Sequence, residues 1–163
     1  MASEGLTDLE QAAWAGFLVT HDRLWRALAE GLAPLNVSMA EYSVLTLLHE
    51  AGPGGMRMSV LAERHLMSSG GFTRLADRLQ NRGLIERRRS AADGRGFEVT
   101  LTREGRALIR RARRQHHADL RELFFSRLED RHLRGLAEVW ALLAPEDDSA
   151  PAPAHGSGAA SAS

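Results

Sequence analysis

Apolar positions recur along the chain first at helical and then at strand spacing, and the change of period divides it. Trp14, Phe17, Leu18, His21, Leu24, Trp25, Leu28 and Leu32 fall three and four apart, which predicts one long helix from Leu6 to Leu32, ended by Pro34. That stripe carries two tryptophans, more apolar surface than a lone helix should show to water, so other helices or a second chain are expected to cover it. Ser38-Met39-Ala40-Glu41 reads as a capping box opening a second helix to about Glu50, with Tyr42, Val44, Leu45, Leu47 and Leu48 inward. The run Ala-Gly-Pro-Gly-Gly at 51–55 is a stop. Arg57-Met58 is expected as a short strand. Ser59 would then cap a third helix from Val60 to His65, with Leu61, Ala62 and Leu66 on its apolar side.

A fourth helix is expected from about Ser69 to Arg82, with Ser68 as its N-cap and Gly83 at the C′ position. Phe72, Leu75, Ala76 and Leu79 form its inner face, while Thr73, Arg74, Asp77 and Arg78 face out. Gly70 and Gly71 in its first turn each cost about 1 kcal/mol relative to alanine. They either let backbone approach a ligand surface closely or mark a frayed start, and the sequence does not separate the two. The period then shortens. Leu84 to Arg89 and Phe97 to Leu101 are strand-like, joined through Ala91-Ala92-Asp93-Gly94-Arg95-Gly96 as a hairpin. Arg87, Arg88 and Arg89 are not expected in the core. Thr102 caps a long helix from Arg103 to about Ser126, basic in its first half and apolar at Leu120, Leu123, Phe124 and Phe125. Leu133, Leu136, Ala137, Trp140 and Leu143 mark a last helix ended by Pro145. The low-complexity tail from Glu146 should be disordered.

A short helix, a tight turn, a second helix and a basic hairpin form the plan of a winged helix-turn-helix, which sets a helix in the DNA major groove with a hairpin beside it. Charge sharpens this reading. The formal net charge is zero, yet residues 74–114 hold 13 arginines against five acids, a net +8, while the segments on either side carry −4 each. All 21 basic residues are arginine. Such segregation suits a local phosphate-binding surface better than it suits scattered solvated faces.

Other chemistries fare worse. The chain has no cysteine, so disulfides, thiol redox sensing and cysteine-ligated zinc are absent together. His116 and His117 point about 100° apart on a helix and do not chelate one metal unaided, so a polar seam in a subunit interface is the better reading. No metal and no cofactor are expected. There is no Gly-x-Ser-x-Gly, phosphate loop or dinucleotide fingerprint, which excludes the common enzyme classes. No apolar run approaches the roughly 18 residues that cross a bilayer, and the acidic N-terminus lacks a signal-peptide pattern, so a cytoplasmic location is the expectation.

The run SSGGFTRLADRLQNRGLIERRRSAADGRGFEVTLTREG at 68–105, together with the stretches at 39–48 and 57–63, resembles the MarR family of bacterial transcriptional regulators, and its actinobacterial members in particular. The resemblance spans about residues 6–144. It implies a mostly α fold with a small β-hairpin wing, a winged helix-turn-helix whose N- and C-terminal helices form a dimerisation domain. Residues 1–35 would be the N-terminal dimerisation helix, 36–102 the DNA-binding domain, 103–145 the C-terminal dimerisation helices and 146–163 a tail. It further implies a homodimer on double-stranded DNA at a pseudopalindromic operator, with Arg95 at the wing tip reaching the minor groove. Asp77 or Asp93 would hold that arginine. Trp14, Leu123, Phe124 and Trp140 would lie in the dimer interface.

The residues support DNA contact separately. Ser68 and Ser69 beside a helix N-terminus suit phosphate, and Gly71 permits close approach. Thr73 and Arg74 face out to read or clamp, with Arg78 and Arg88 on backbone phosphate. The chain departs from the family it resembles at Gly70 and Gly71, where relatives often carry polar or basic base-readers, so shape readout by Arg95 gains weight. The expected function is a DNA-binding regulator, a repressor released by a small-molecule effector of unspecified identity. The competing reading is a winged-helix interaction module that does not bind DNA.

Overall fold

The structure, a computed structural model, describes residues 5–64, 69–89 and 96–143. Helix α1 runs from Asp8 to Leu32 and begins two residues later than the apolar stripe suggested. Its start is fixed by a capping box: the Thr7 hydroxyl accepts from Glu10 N–H, and the Glu10 carboxylate accepts from Thr7 N–H at 2.7 Å. A 3₁₀ turn through Pro34 leads to Asn36 in the left-handed region, and α2 follows from Met39 to Ala51. Ser38 and Glu41 form the expected capping box.

Strand β1 is Met56–Arg57, and α3 spans Met58–Arg64 with no gap between them. The strand therefore sits one residue earlier than expected, and the third helix starts two residues before Val60, with Ser59 inside it and not capping it. Helix α4 is Ser69–Asn81, β2 Ile85–Arg89, β3 Phe97–Leu101 and α5 Arg103–Leu123. The expected single run to Ser126 breaks at Phe124 into a 3₁₀ turn, and α6 covers Asp130–Leu143. The three strands form one antiparallel sheet in the order β1-β3-β2, with Met56 opposite Val99 and Ile85 opposite Leu101.

One core joins these pieces. Leu45 and Leu48 of α2, Leu61 of α3, Phe72, Leu75 and Leu79 of α4, Ile85 and Val99 of the sheet, and Ile109 of α5 are nearly or fully buried in it. The inner faces read from periodicity in α2 and α4 are the buried faces. Two close approaches around the sheet depend on glycine. Gly55 has φ +70°, and a side chain there would strike the Val99 carbonyl, so both conformation and space demand glycine. At Gly105 the first turn of α5 presses on the Leu84 carbonyl, again with no room for a methyl group.

The two ends of the chain contrast with this core. Trp14, Phe17, Trp25 and Trp140 are each about half exposed, and α6 buries none of its side chains within the chain. The rings of Trp14, Phe17, His21 and Trp25 follow one another along α1 at centroid spacings of 5.7 to 6.1 Å. Phe17 also meets Trp140 edge-on at 5.9 Å, joining the two terminal helices.

Candidate nucleic-acid interface

Helix α4 is positioned by its buried side, since Phe72, Leu75, Ala76 and Leu79 are all within 1% of full burial. The 3.6-residue repeat then turns Thr73, Arg74, Asp77 and Arg78 to solvent, as the sequence suggested. Arg74 and Arg78 make no ion pair among the described residues. Gly70 is exposed, and a Cβ there would meet open space. Packing therefore does not require a glycine at that position, and the surface is left thin where the helix begins.

Two ion pairs set the angle of this helix. The Arg87 guanidinium of β2 donates to the Asp77 carboxylate at 2.7 Å, tying the outer side of α4 to the middle of β2. Alternation along β2 puts Arg87 on the same side as buried Ile85, so Arg87 is largely covered while Arg88 and Arg89 are exposed. At the other end of α4, Arg82 donates to Glu41 at 3.1 Å and to the Asn36 carbonyl at 2.7 Å. Glu41 thus serves both the α2 cap and the α4 C-terminus. Neither pair was read from the sequence. Arg88 pairs with Glu86 at 3.0 Å, both well exposed, an exchangeable contact that leaves the cation available to phosphate.

The hairpin is anchored at its base. Thr102 N–H donates to the Leu84 carbonyl at 3.1 Å. Its hydroxyl donates to the Gly83 carbonyl at 2.7 Å and accepts from Gly105 N–H at 2.9 Å. Gly83 itself has φ +67°, the left-handed C′ conformation that glycine adopts without strain. The end of α4, the start of β2 and the start of α5 are therefore one hydrogen-bonded knot. Of the residues expected at DNA, Ser68 and Arg95 lie outside the described residues, as do Asp93, the hairpin tip 91–95 and the tail 146–163; for Ser69 only the backbone is described.

Above this surface, α2 and α5 meet through polar contacts. His116 is 2% exposed, with its ring 4.5 Å from that of Tyr42, and Arg113 donates to Glu50 at 3.2 Å. Burial raises the Tyr42 pKa and, together with Arg113 and Arg110, lowers that of His49. The expected interface seam at His116-His117 is corrected for His116. That residue continues the buried repeat Gly105, Ile109, Ala112 and belongs to the chain's own core. Beside α5 lies an open groove of about 510 Å³ lined by Gly31, Pro34, Leu35, Arg111, Arg114 and Gln115.

This architecture has relatives. The MarR family model matches residues 35–96, which contain α2, the helix-turn-helix and β2. The regulator PecS of Dickeya dadantii, described as an HTH-type transcriptional regulator, is 31% identical over 114 residues, covering 68% of this chain and 69% of PecS. The chain belongs to the MarR family of transcriptional regulators. AbsC, a MarR family regulator from Streptomyces coelicolor, is 30% identical with a TM-score of 0.82, over 86% of this chain and 95% of AbsC. Sco3205, a MarR family regulator from the same organism solved in complex with DNA, is 26% identical with a TM-score of 0.80, over 88% of this chain and 97% of its own. As in this family, the fold is mostly helical with a small three-stranded antiparallel sheet. No described helix is long and apolar enough to cross a membrane.

Proposed function

We propose that this MarR-family chain is a homodimeric, sequence-specific DNA-binding regulator of the actinobacterial type, working in the cytoplasm as a repressor that a small molecule releases. The observation that carries the reading is the outward face of α4. Arg74 and Arg78 stand there exposed beside an arginine-bearing hairpin, in a fold shared with a regulator solved on DNA. In this reading α4 enters the major groove, Arg74 contacts base edges or phosphate, Arg78 and Arg88 hold the backbone, and Arg95 enters the minor groove.

The dimer is supported by what the single chain leaves uncovered. Half-exposed Trp14, Phe17, Trp25 and Trp140, with half-buried Leu123 and Phe124, form an apolar surface at the terminal helices that a second copy would cover. Two such chains present two α4 helices to successive major grooves, hence a pseudopalindromic operator. The groove beside α5 lies within the size range of small-molecule sites, and Arg111 suits an anionic effector there.

Footprinting on the DNA upstream of the protein's own gene tests the reading. Protection of two half-sites about one helical turn apart is expected. No protected segment at any concentration that saturates other MarR regulators would favour the interaction module instead.

A further inference from the structure

The first half of α5 carries six arginines, and the structure divides them into two groups. Arg106 donates to the Leu101 carbonyl at 2.6 Å and Arg113 to Glu50, so both are engaged within the chain. Arg103, Arg110, Arg111 and Arg114 are exposed and make no ion pair among the described residues; Arg111 stands about 80° round the helix from Arg103, which leaves Arg103, Arg110 and Arg114 as one group. At 100° per residue these three fall within an arc of about 40°, opposite the buried face of Gly105, Ile109, Ala112 and His116. They spread over about 16 Å of helix. The same face holds Ala107 but no aromatic or large aliphatic residue, so it lacks the anchors of a protein-binding surface. It also starts at the wing: Arg103 follows Thr102, which is hydrogen-bonded into the junction of α4 and β2.

We propose that Arg103, Arg110 and Arg114 form a second phosphate-binding stripe, continuous with the wing, that holds duplex DNA by charge alone. The proposal rests on the DNA-binding reading above and extends it to a helix assigned so far only to dimerisation. Duplex DNA carries one charge per roughly 1.7 Å of its axis, so a stripe of this length has several phosphates within reach. Phosphate contacts carry no sequence information, so the stripe should add affinity equally on operator and unrelated DNA. Arginine suits the task because its planar fork can bond phosphate in a bidentate way.

The test compares the full-length wild type with R103Q/R110Q/R114Q and R103K/R110K/R114K. Each is titrated against the footprinted operator and an unrelated duplex from 50 to 200 mM salt, with sedimentation run alongside. The glutamine variant should bind both duplexes at least about 10-fold more weakly at low salt. Its slope of log K against log salt should shrink by about 0.9 for each phosphate that the helix no longer neutralises. The operator-to-unrelated affinity ratio should not change, and the lysine variant should regain most of the slope. A glutamine variant with wild-type slope and affinity overturns the stripe while leaving the DNA reading intact. A variant that loses its dimer at an unchanged slope overturns it too, and assigns the arginines to carboxylates of the second copy. Absence of duplex binding by the wild type overturns both.

Discussion

Glu41 holds two parts of the DNA-reading unit together, and its removal is a quantitative test of the fold. The side chain is 10% exposed and accepts three hydrogen bonds. Two come from the Ser38 N–H and hydroxyl, at 3.0 and 3.2 Å, and one from the Arg82 guanidinium at 3.1 Å. Glu41→Ala deletes the carboxylate half of the capping box, worth about 0.5–1 kcal/mol. It also deletes a partly buried charged hydrogen bond, worth about 1.5–3 kcal/mol. Arg82 keeps the Asn36 carbonyl and is 30% exposed, so water recovers part of the loss. A net destabilisation of about 2 kcal/mol is expected, which for a chain of this size is a fall in Tm of about 4–8 °C. Urea and thermal unfolding followed by circular dichroism at one fixed protein concentration measure it, since a dimer's stability depends on concentration. A double-mutant cycle of Glu41→Gln with Arg82→Met should show a coupling of at least about 1 kcal/mol. A loss below about 0.5 kcal/mol for Glu41→Ala, or no coupling in the cycle, would refute the tie between α2 and α4.

Further expectations concern the wing, the dimer and pH. Gly105→Ala forces a methyl group onto the Leu84 carbonyl and should cost about 1–3 kcal/mol in urea unfolding; a neutral result would mean the α5–β2 junction is loose. Trp140→Ala should weaken self-association by at least 10-fold in sedimentation, because it removes a half-exposed ring packed on Phe17; wild-type behaviour would place the interface elsewhere. Arg95→Ala should weaken operator binding by at least 10-fold with the dimer intact, and unchanged affinity would remove the wing arginine from the interface. His49 has a folded pKa below its ordinary 6.5, chiefly from burial and then from Arg113 and Arg110, so the unfolded chain takes up its proton first as pH falls. Its contribution to stability is complete above about pH 6.5 and is lost below it. His49→Gln should therefore flatten the decline in stability between about pH 7 and 5, and an unaltered slope would contradict the assignment.

What was legible in the sequence was what depends on neighbours a few residues apart. The inner faces of α2 and α4 follow from burial repeating at 3.6 residues, and the caps at Ser38 and Thr102 from local hydrogen bonding. The strand pair could be bounded because Gly83 and Thr102 punctuate it. The same logic would have placed His116 in the core had the phase been carried forward from Gly105, Ile109 and Ala112. Ion pairs are different. Arg82 and Glu41 stand 41 residues apart, and Asp77 finds Arg87 only because β2 lies beside α4. With 21 arginines and 21 acids, composition offers too many partners to choose among, and only packing decides. The division of the α5 arginines into engaged and exposed sets was hidden for the same reason.

The central claim is that an arginine-lined helix and wing hold duplex DNA. It is tested most directly by titrating the full chain against its footprinted operator and a shuffled duplex at rising salt. Tight binding to the operator is expected at 50 mM salt, with log K falling linearly in log salt and a slope of several units, about 0.9 for each phosphate neutralised. The shuffled duplex should bind far more weakly. Affinity that is absent at low salt, or that does not respond to salt, would contradict the account.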